Sequence, residues 1–255
     1  MTNAKVLITA RLKSSRLKGK ALLLIGKINL VSFLIKRLQL VFKNRNIVLI
    51  TSGKKQDKKL LDIAKKEGIN FFCGDPDDVM IRMSSAAKKF NAKNFISCTA
   101  DNPFTDPFYA EKLYNFHIKN RFHMSTIKKL PFGTFTYVVN TKALNRLIKM
   151  KDTSDTEIWG DYFRKINEFK CGIYKKIPKF LSKPNIRLTV DYIEDYSFIT
   201  KLYQLSKKKM PSLSHLLRCL EKNSHLLKIN KKARQKKSSP IKIKEQYKKL
   251  IIKNN

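Results

Sequence analysis

Apolar residues in the first hundred positions occur in two arrangements that alternate along the chain. Continuous apolar runs have the length of strands buried on both faces, and they occupy residues 6–10, 47–50, 69–73 and 95–100. Between them, apolar residues recur every three or four positions, as in amphipathic helices, and these positions include Leu30, Phe33, Leu34 and Leu38, then Leu60, Leu61 and Ala64, then Met80, Met83, Ala87 and Phe90. Asn29 is the predicted N-cap of the first helix, and Gly68 should end the second.

This alternation predicts an α/β fold with three layers, in which helices cover both faces of a mostly parallel, Rossmann-like sheet. The second half of the chain is less regular. Strands are predicted there at residues 137–140, 172–177 and 187–190, and helices at residues 144–150, 156–169 and 192–207. We expect one domain over residues 1–230 and a basic C-terminal tail over residues 231–255, in which residues 241–252 have the spacing of a short amphipathic helix.

The large net charge says little about which partner this protein binds. The formal net charge is +36, which favours an anionic partner such as nucleotide phosphates, nucleic acid or a membrane surface. Most of the positive charge is lysine spread along the whole chain, however, so we attribute it mainly to a bias in composition. We expect no specific nucleic-acid partner, since stacking patterns for single strands are not evident. Binding to nucleic acid or a membrane through the basic surface stays an alternative.

Cysteine and histidine placement gives no sign of a disulfide scaffold or a zinc site. The four cysteines, Cys73, Cys98, Cys171 and Cys219, are not spaced as metal ligands, so the expected location is a reducing cytoplasm. The sequence predicts no signal peptide, and its first apolar stretches are far shorter than the ~20 residues that span a bilayer.

A polar loop at residues 11–20 follows the first predicted strand. Arg11 and Arg16 carry guanidinium groups that match phosphate oxygens, and Lys20 adds a point charge. The hydroxyls of Ser14 and Ser15, with loop N–H groups, complete a set of donors that suits a phosphate chain. An ordinary basic loop is the alternative in a chain so rich in lysine.

Two later segments place aspartates where apolar strands end. Asp101 follows the strand at residues 95–100 and suits a divalent cation held between phosphates, because Mg²⁺ takes one or two carboxylates plus phosphate oxygens. Asp106 is predicted instead to cap the next helix. Asp191 ends the strand predicted at residues 187–190 and begins a helix, where it suits an N-cap. Ligands of parallel sheets bind outside the carboxyl ends of the strands, so Asp101 and the polar loop should open into one crevice.

These segments resemble the CMP-sugar synthetases, a family of cytidylyltransferases. Residues 10–20 keep the family pattern Ala-Arg-x-x-Ser-Ser-Arg-Leu-Pro-Gly-Lys except for Lys18, which replaces the proline. Residues 99–107 read Thr-Ala-Asp-Asn-Pro-Phe-Thr-Asp-Pro and are similar to the family's acidic turn. Residues 74–82 and 187–195 are also similar, and all four segments follow the family's order between residues 6 and 203.

The resemblance implies the fold of nucleotide-diphospho-sugar transferases and transfer of CMP from CTP to an acidic sugar, with release of pyrophosphate and Mg²⁺ as cofactor. It also implies a homodimer. The implied roles are catalysis by Arg11, Lys20, Asp101 and Asp191; nucleotide binding by Arg11, Ser14, Ser15, Arg16, Lys20, Asp78 and Arg82; and metal ligation by Asp101 and Asp191. Asp195 is interpreted as structural.

One stretch departs from the family pattern. Relatives of the spore coat type have Glu-His near the acceptor sugar, whereas this chain has Glu157 followed by Ile158. This substitution leaves the acceptor open and, with Lys18, supports the alternative of a non-catalytic homologue. The retained Arg11, Lys20 and aspartates favour an enzyme.

Overall fold

Short β-branched and aliphatic runs supply the strands at the centre of the molecule. A computed structural model describes residues 3–235 and 240–251. The strands, in chain order, are β1 (Lys5–Thr9), β2 (Leu24–Ile25), β3 (Ile28–Asn29), β4 (Ile47–Ser52), β5 (Asn70–Gly74), β6 (Asn94–Thr99), β7 (Met124–Ile127), β8 (Tyr137–Asn140) and β9 (Cys171–Tyr174). Within these described residues, β2 and β3 pair antiparallel, and the others form a seven-stranded sheet of order β5-β4-β1-β6-β8-β7-β9.

The sheet is mostly parallel, as predicted. β5, β4, β1 and β6 run in the same direction, whereas β8 is antiparallel to both of its neighbours, β6 and β7. β9 is parallel to β7, so β8 is the one reversed strand in this sheet. The carboxyl ends of β1 and β6 are adjacent because Thr9 pairs with Thr99.

Helices cover both faces of the sheet. They are α1 (Leu30–Gln39), α2 (Lys58–Lys66), α3 (Val79–Lys89), α4 (Pro107–Asn120), α5 (Thr141–Met150), α6 (Gly160–Lys165), α7 (Ile193–Ser206) and α8 (Leu213–Lys222). Successive β1 residues point to opposite faces. Val6 and Ile8 belong to the core that includes residues of α1, α2, α4, α7 and α8, while Leu7 belongs to the core that includes residues of α3, α5 and α6. Two apolar cores therefore enclose the sheet, and the predicted three-layer α/β/α arrangement is confirmed.

Helix ends follow the capping residues in the sequence. The Asn29 side chain accepts a hydrogen bond from the backbone N–H of Ser32 at 2.8 Å, as predicted. Gly68 lies just beyond α2 with φ of +67°, a left-handed conformation that suits glycine at a helix end. Asp106 caps α4, which confirms its interpretation as a helix cap.

Several predictions for the second half were wrong. Residues 187–190 do not form a strand: Arg187 makes an isolated bridge to Phe132, and the segment is otherwise irregular. The helix predicted over residues 156–169 is shorter in the structure, where α6 covers Gly160–Lys165. The pattern did not predict β7 or α8, and it predicted only the capped start of α4 at Asp106. Among the described residues, no helix is both long and apolar enough to cross a membrane.

The described part of the C-terminal region does not form the predicted amphipathic α-helix. Residues 245–250 form a 3₁₀-helix instead, and isolated bridges flank it, between Ile243 and Lys151 and between Ile251 and Ile166. The predicted helix extends to residue 252, and residues 252–255, like residues 236–239 of the tail, lie outside the described residues.

Candidate active site

The polar loop leaves the end of β1 and is anchored by a buried aspartate. The backbone N–H of Leu12 donates to Asp57 Oδ1 at 2.8 Å, and the Ser52 hydroxyl donates to the other oxygen of Asp57. Gly19 has φ of +64° and donates its N–H to the Leu12 carbonyl at 3.3 Å. This turn brings the following residue, Lys20, back toward the end of β1.

Lys20 joins the two predicted metal ligands. Its Nζ lies 2.6 Å from Asp101 Oδ2 and 2.8 Å from Asp191 Oδ1. The two aspartates are 90 positions apart in sequence, and their backbones are also linked, because Val190 donates its N–H to the Asp101 carbonyl at 2.8 Å. The polar loop, the end of β6 and the segment before α7 therefore converge on one point, as predicted.

Two arginines hold Asp191 in addition to Lys20. Arg16 Nη2 lies 3.1 Å from Oδ1 and Arg187 Nη2 lies 3.0 Å from Oδ2. Arg187 also binds Asp195, which is fully buried and accepts the backbone N–H groups of Asp191 and Tyr192. Asp195 thus has the structural role that the sequence predicted, and Arg187 is a support that the sequence did not reveal.

The charge states of this cluster follow from its contacts. Burial alone would lower the pKa of Lys20, but the charges and hydrogen bonds of Asp101 and Asp191 raise it above its ordinary value. Burial alone would raise the pKa of Asp191, yet Lys20, Arg16 and Arg187 hold it below its ordinary value. At neutral pH the ammonium and this carboxylate are therefore both charged.

A first cavity of about 350 Å³ opens beside this cluster. The predicted nucleotide-binding residues that line it are Arg11, Ser14, Ser15, Arg16, Lys20 and Arg82. Within the described part of the chain, buried guanidinium nitrogens of three of them lack a hydrogen-bond partner: Nε of Arg11, Nη1 of Arg16 and Nε of Arg82. Unpaired cationic donors around a cavity provide contacts for an anion such as a phosphate chain.

Asp78 is the predicted nucleotide-binding residue that does not line this cavity. It is 2% exposed and caps α3 by accepting the N–H groups of Met80 and Ile81. It also pairs with Lys151 and accepts the Thr156 hydroxyl. The neighbouring Asp77 lines the cavity instead and lies 3.5 Å from Arg11. Asp78 therefore supports the cavity wall, because its side chain is committed to backbone and loop contacts.

A second cavity, of about 200 Å³, adjoins the first. Both cavities are lined by Arg16, Thr99, Asp101, Glu157 and Trp159. The remaining lining of the second cavity includes three aromatic residues, Phe132, Phe135 and Tyr137, each in edge contact with the next. Among the described residues that line it, Arg16 is the cationic side chain.

Gly133 shapes the wall of the second cavity. It has φ of +91°, and a Cβ at this position would lie 2.6 Å from the backbone nitrogen of Thr189. A larger residue would push the two segments apart, so glycine keeps the segment before Asp191 against the cavity. Ile158, where the family pattern has histidine, also lines this cavity.

The carboxylates fit a hard divalent cation. Asp101 and Asp191 present oxygens to one common position, now contacted by the Lys20 ammonium, and carboxylates with phosphate oxygens are the ligands that Mg²⁺ prefers. The described residues contain no group of three or more His, Cys, Asp or Glu side chains that could hold a metal. A cation here would therefore need ligands from a bound phosphate chain as well.

Comparisons with known proteins show the family to which this chain belongs. A family model described as cytidylyltransferase matches residues 5–223. The spore coat polysaccharide biosynthesis protein SpsF of Bacillus subtilis is 30% identical over 230 residues, which cover 88% of this chain and 96% of that protein. An uncharacterized protein of Methanocaldococcus jannaschii is 30% identical over 232 residues, covering 90% and 95% of the two chains.

Solved structures share the fold. A cytidylyltransferase from Leptospira borgpetersenii superposes with a TM-score of 0.82 at 24% identity, covering 93% of this chain and all of the other. A CMP:2-keto-3-deoxy-manno-octonic acid synthetase complexed with CTP superposes with a TM-score of 0.62 at 14% identity, covering 80% and 99%.

Proposed function

The chain belongs to the cytidylyltransferase family, and on that premise we propose that it transfers CMP from CTP to an acidic sugar and releases pyrophosphate. The observation that carries this proposal is the cluster of Lys20, Asp101 and Asp191 at the border of two adjoining cavities. One cavity would hold the nucleotide and the other the acceptor. The reacting phosphate and hydroxyl would then meet at the shared border.

The first cavity suits the triphosphate of CTP. Arg11, Arg16 and Lys20 bring three cations to its wall, and the hydroxyls of Ser14 and Ser15 add neutral donors. Charge-assisted hydrogen bonds from the cationic donors to phosphate oxygens are roughly twice as strong as neutral ones. Arg82 lies on the same wall, and we place it beside the cytosine base of the bound nucleotide.

The second cavity suits a sugar ring that carries one acid group. Its aromatic walls supply flat apolar surfaces, and Arg16 supplies a cation for a carboxylate. The similarity to a spore coat polysaccharide biosynthesis protein and to a synthetase that acts on a keto-deoxy sugar acid supports this acceptor class. It also supports a role in the synthesis of cell-surface polysaccharide or glycan.

We further propose that Mg²⁺ is the cofactor, held by Asp101 and Asp191 together with phosphate oxygens. The chemistry that a cation supplies there is charge neutralisation between phosphates and a lower pKa for the acceptor hydroxyl. Lys20 pairs with both aspartates in this structure and would be free to contact the phosphates once a cation takes its place between the carboxylates. Arg11 and Arg16 would stabilise the charge that gathers on the departing pyrophosphate.

The four cysteines are free, which supports the proposed location in a reducing cytoplasm. The homodimer also stays a proposal, and size-exclusion chromatography with light scattering tests it directly.

Pyrophosphate release tests the assignment. Purified protein is mixed with Mg²⁺, one of the four ribonucleoside triphosphates at a time, and a panel of acidic sugars, with neutral sugars as controls. Turnover should require CTP and an acidic acceptor. Tight CTP binding with no turnover across the panel would favour the non-catalytic alternative.

The aspartates are tested by Asp101→Asn, which keeps the side-chain shape and removes the charge. We expect kcat to fall by about 100-fold or more because the variant loses a carboxylate that would hold the proposed cation. The control is Asp62→Asn, on the exposed side of α2, which should be fully active. Wild-type turnover by Asp101→Asn with an unchanged unfolding transition would refute the catalytic role.

A further inference from the structure

The described end of the chain packs back onto the domain. We call residues 240–251 the C-terminal strap. Lys244 donates its N–H to the Met150 carbonyl at 2.9 Å, and the Lys242 carbonyl accepts the N–H of Asp152 at 2.8 Å. At the other end of the strap, the Leu250 carbonyl accepts the N–H of Asn167 at 2.9 Å. The strap therefore pairs with the backbone on both sides of residues 153–166.

Apolar side chains hold the strap in place. Ile243 is 5% exposed and belongs to the core cluster formed by α3, α5 and α6. Ile241, Tyr247, Leu250 and Ile251 are partly buried against the same cluster. The lysines of the strap point elsewhere: Lys242, Lys244, Lys248 and Lys249 are all exposed. The strap thus has an apolar inner side and a charged outer side.

The segment that the strap fixes carries walls of both cavities. Residues 151–159, which we call the wall loop, include Asp155, Glu157 and Trp159 of the first cavity, and Glu157 and Trp159 also line the second. The wall loop has little regular structure of its own. It begins at Lys151, which bridges to Ile243 of the strap.

A second set of contacts ties the wall loop to the nucleotide side. Lys151 pairs with the buried Asp78 and donates to the Thr153 carbonyl at 2.7 Å. Thr156 donates its hydroxyl to Asp78 at 2.9 Å. The wall loop is therefore held between Asp78 at the start of α3 and the strap on its outer side.

We propose that the C-terminal strap positions the wall loop for catalysis, with Ile243 as the principal positioning residue. The inference rests on the proposed function, because it assigns the wall loop to the nucleotide and acceptor cavities. It goes beyond the family match, which ends at residue 223. The strap is then part of the active-site architecture, whereas a tail that only adds charge would leave the cavities unchanged.

Two matched changes separate packing from charge. Ile243→Ala removes apolar contact and keeps the charge of the strap, whereas Lys248→Gln combined with Lys249→Gln removes charge at exposed positions. We expect Ile243→Ala to lower kcat/KM by about tenfold, since small displacements of positioning groups reduce turnover steeply. The double glutamine variant should keep wild-type kinetics. Ile243→Val should lie between Ile243→Ala and wild type.

Trp159 gives a readout that does not depend on turnover. It is the single tryptophan of the chain and is 6% exposed, so quenching of its fluorescence by acrylamide reports on the wall loop. We expect more quenching in Ile243→Ala than in wild type, and a smaller change on addition of CTP. If no acceptor supports turnover even in wild type, the proposed function fails while the quenching result still tests the strap.

A core control separates positioning from loss of stability. Leu220→Ala truncates a side chain that is 2% exposed and lies in the core on the other face of the sheet. It should lower the midpoint of urea unfolding and leave kcat/KM and Trp159 quenching at wild-type values. The proposal is overturned if Ile243→Ala has wild-type kinetics and quenching. It is also overturned if Leu220→Ala lowers kcat/KM and increases Trp159 quenching as much as Ile243→Ala does.

Discussion

Replacing Lys20 by methionine isolates the central charge of the site. Methionine keeps an unbranched apolar side chain and removes the ammonium that contacts Asp101 at 2.6 Å and Asp191 at 2.8 Å. The Lys20 side chain is 14% exposed and that of Asp191 is 5% exposed, so water replaces the lost contacts poorly. The change should therefore affect both folding and turnover.

The structure sets the size of both effects. A hydrogen bond to a charged group contributes about 1.5–3 kcal/mol, and two are lost. Asp191 keeps Arg16 and Arg187, however, and Asp101 is partly open to solvent. We therefore expect the free energy of unfolding to fall by about 2 kcal/mol at neutral pH. Loss of one preorganised cation at the reacting phosphates should lower kcat/KM for CTP by about 100-fold to 1000-fold.

The stability effect should depend on pH in a defined direction. The pKa of Asp191 in the folded chain lies below its ordinary value, with Lys20 as one cause, and the unfolded value is about 3.9. Its stabilising contribution is thus fully present above about pH 4 and is lost as the pH falls through the folded pKa. The stability difference between wild type and Lys20→Met should shrink over the same acidic range.

Urea unfolding across this pH range and pyrophosphate release at neutral pH measure the two effects. Lys18→Met is the matched control, because Lys18 is exposed on the same loop and the family pattern has proline there. The control should be nearly wild type in both assays. A Lys20→Met variant with wild-type kcat/KM for CTP would refute the role that we assign to the ammonium.

Two further substitutions test the supports of the site. Asp57→Ala removes the acceptor of the Leu12 N–H; the loop should loosen, and KM for CTP should rise about tenfold with a smaller change in kcat. An unchanged KM would show that the loop is held by other contacts. Arg187→Met leaves the buried Asp195 without its guanidinium partner and should cost about 3 kcal/mol in urea unfolding. Arg187→Lys should recover part of that loss, and full stability of Arg187→Met would contradict the pairing.

The first half of the fold was predictable because local pattern and tertiary packing agree there. Strands β1, β4 and β6 are largely buried apolar runs, so composition alone located them. β5 was located in the same way, but it lies at the edge of the sheet and its residues are half-buried or exposed, not buried on both faces as predicted. The second half was harder because its apolar residues meet distant partners. Leu188 and Val190 are fully buried and have the composition of a strand, yet their backbone groups bond to Phe132 and Asp101 in irregular segments.

The site was predictable only for residues that lie within a local motif. Arg11, Lys20, Asp101 and Asp191 could be chosen from the ends of strands and from the family pattern, and the structure brings Lys20 and both aspartates together. Asp57 and the strap could not, since their contacts join segments far apart in sequence. Arg187 lies only four and eight residues from its partners Asp191 and Asp195, but the residue pattern gives no geometry from which these ion pairs follow. The contacts that bury Asp78 could not be predicted either, because its partners Lys151 and Thr156 are more than 70 residues away.

The wall shared by the two cavities has a consequence for ligand design. Both cavities are lined by Arg16, Thr99, Asp101, Glu157 and Trp159, so a ligand that occupied the two together would pass along these residues. A bisubstrate compound that joins a cytidine phosphate to a sugar ring through a short bridge would be bound at both ends. Tethering makes the second binding event intramolecular, so such a compound should inhibit at concentrations far below those needed for either half alone.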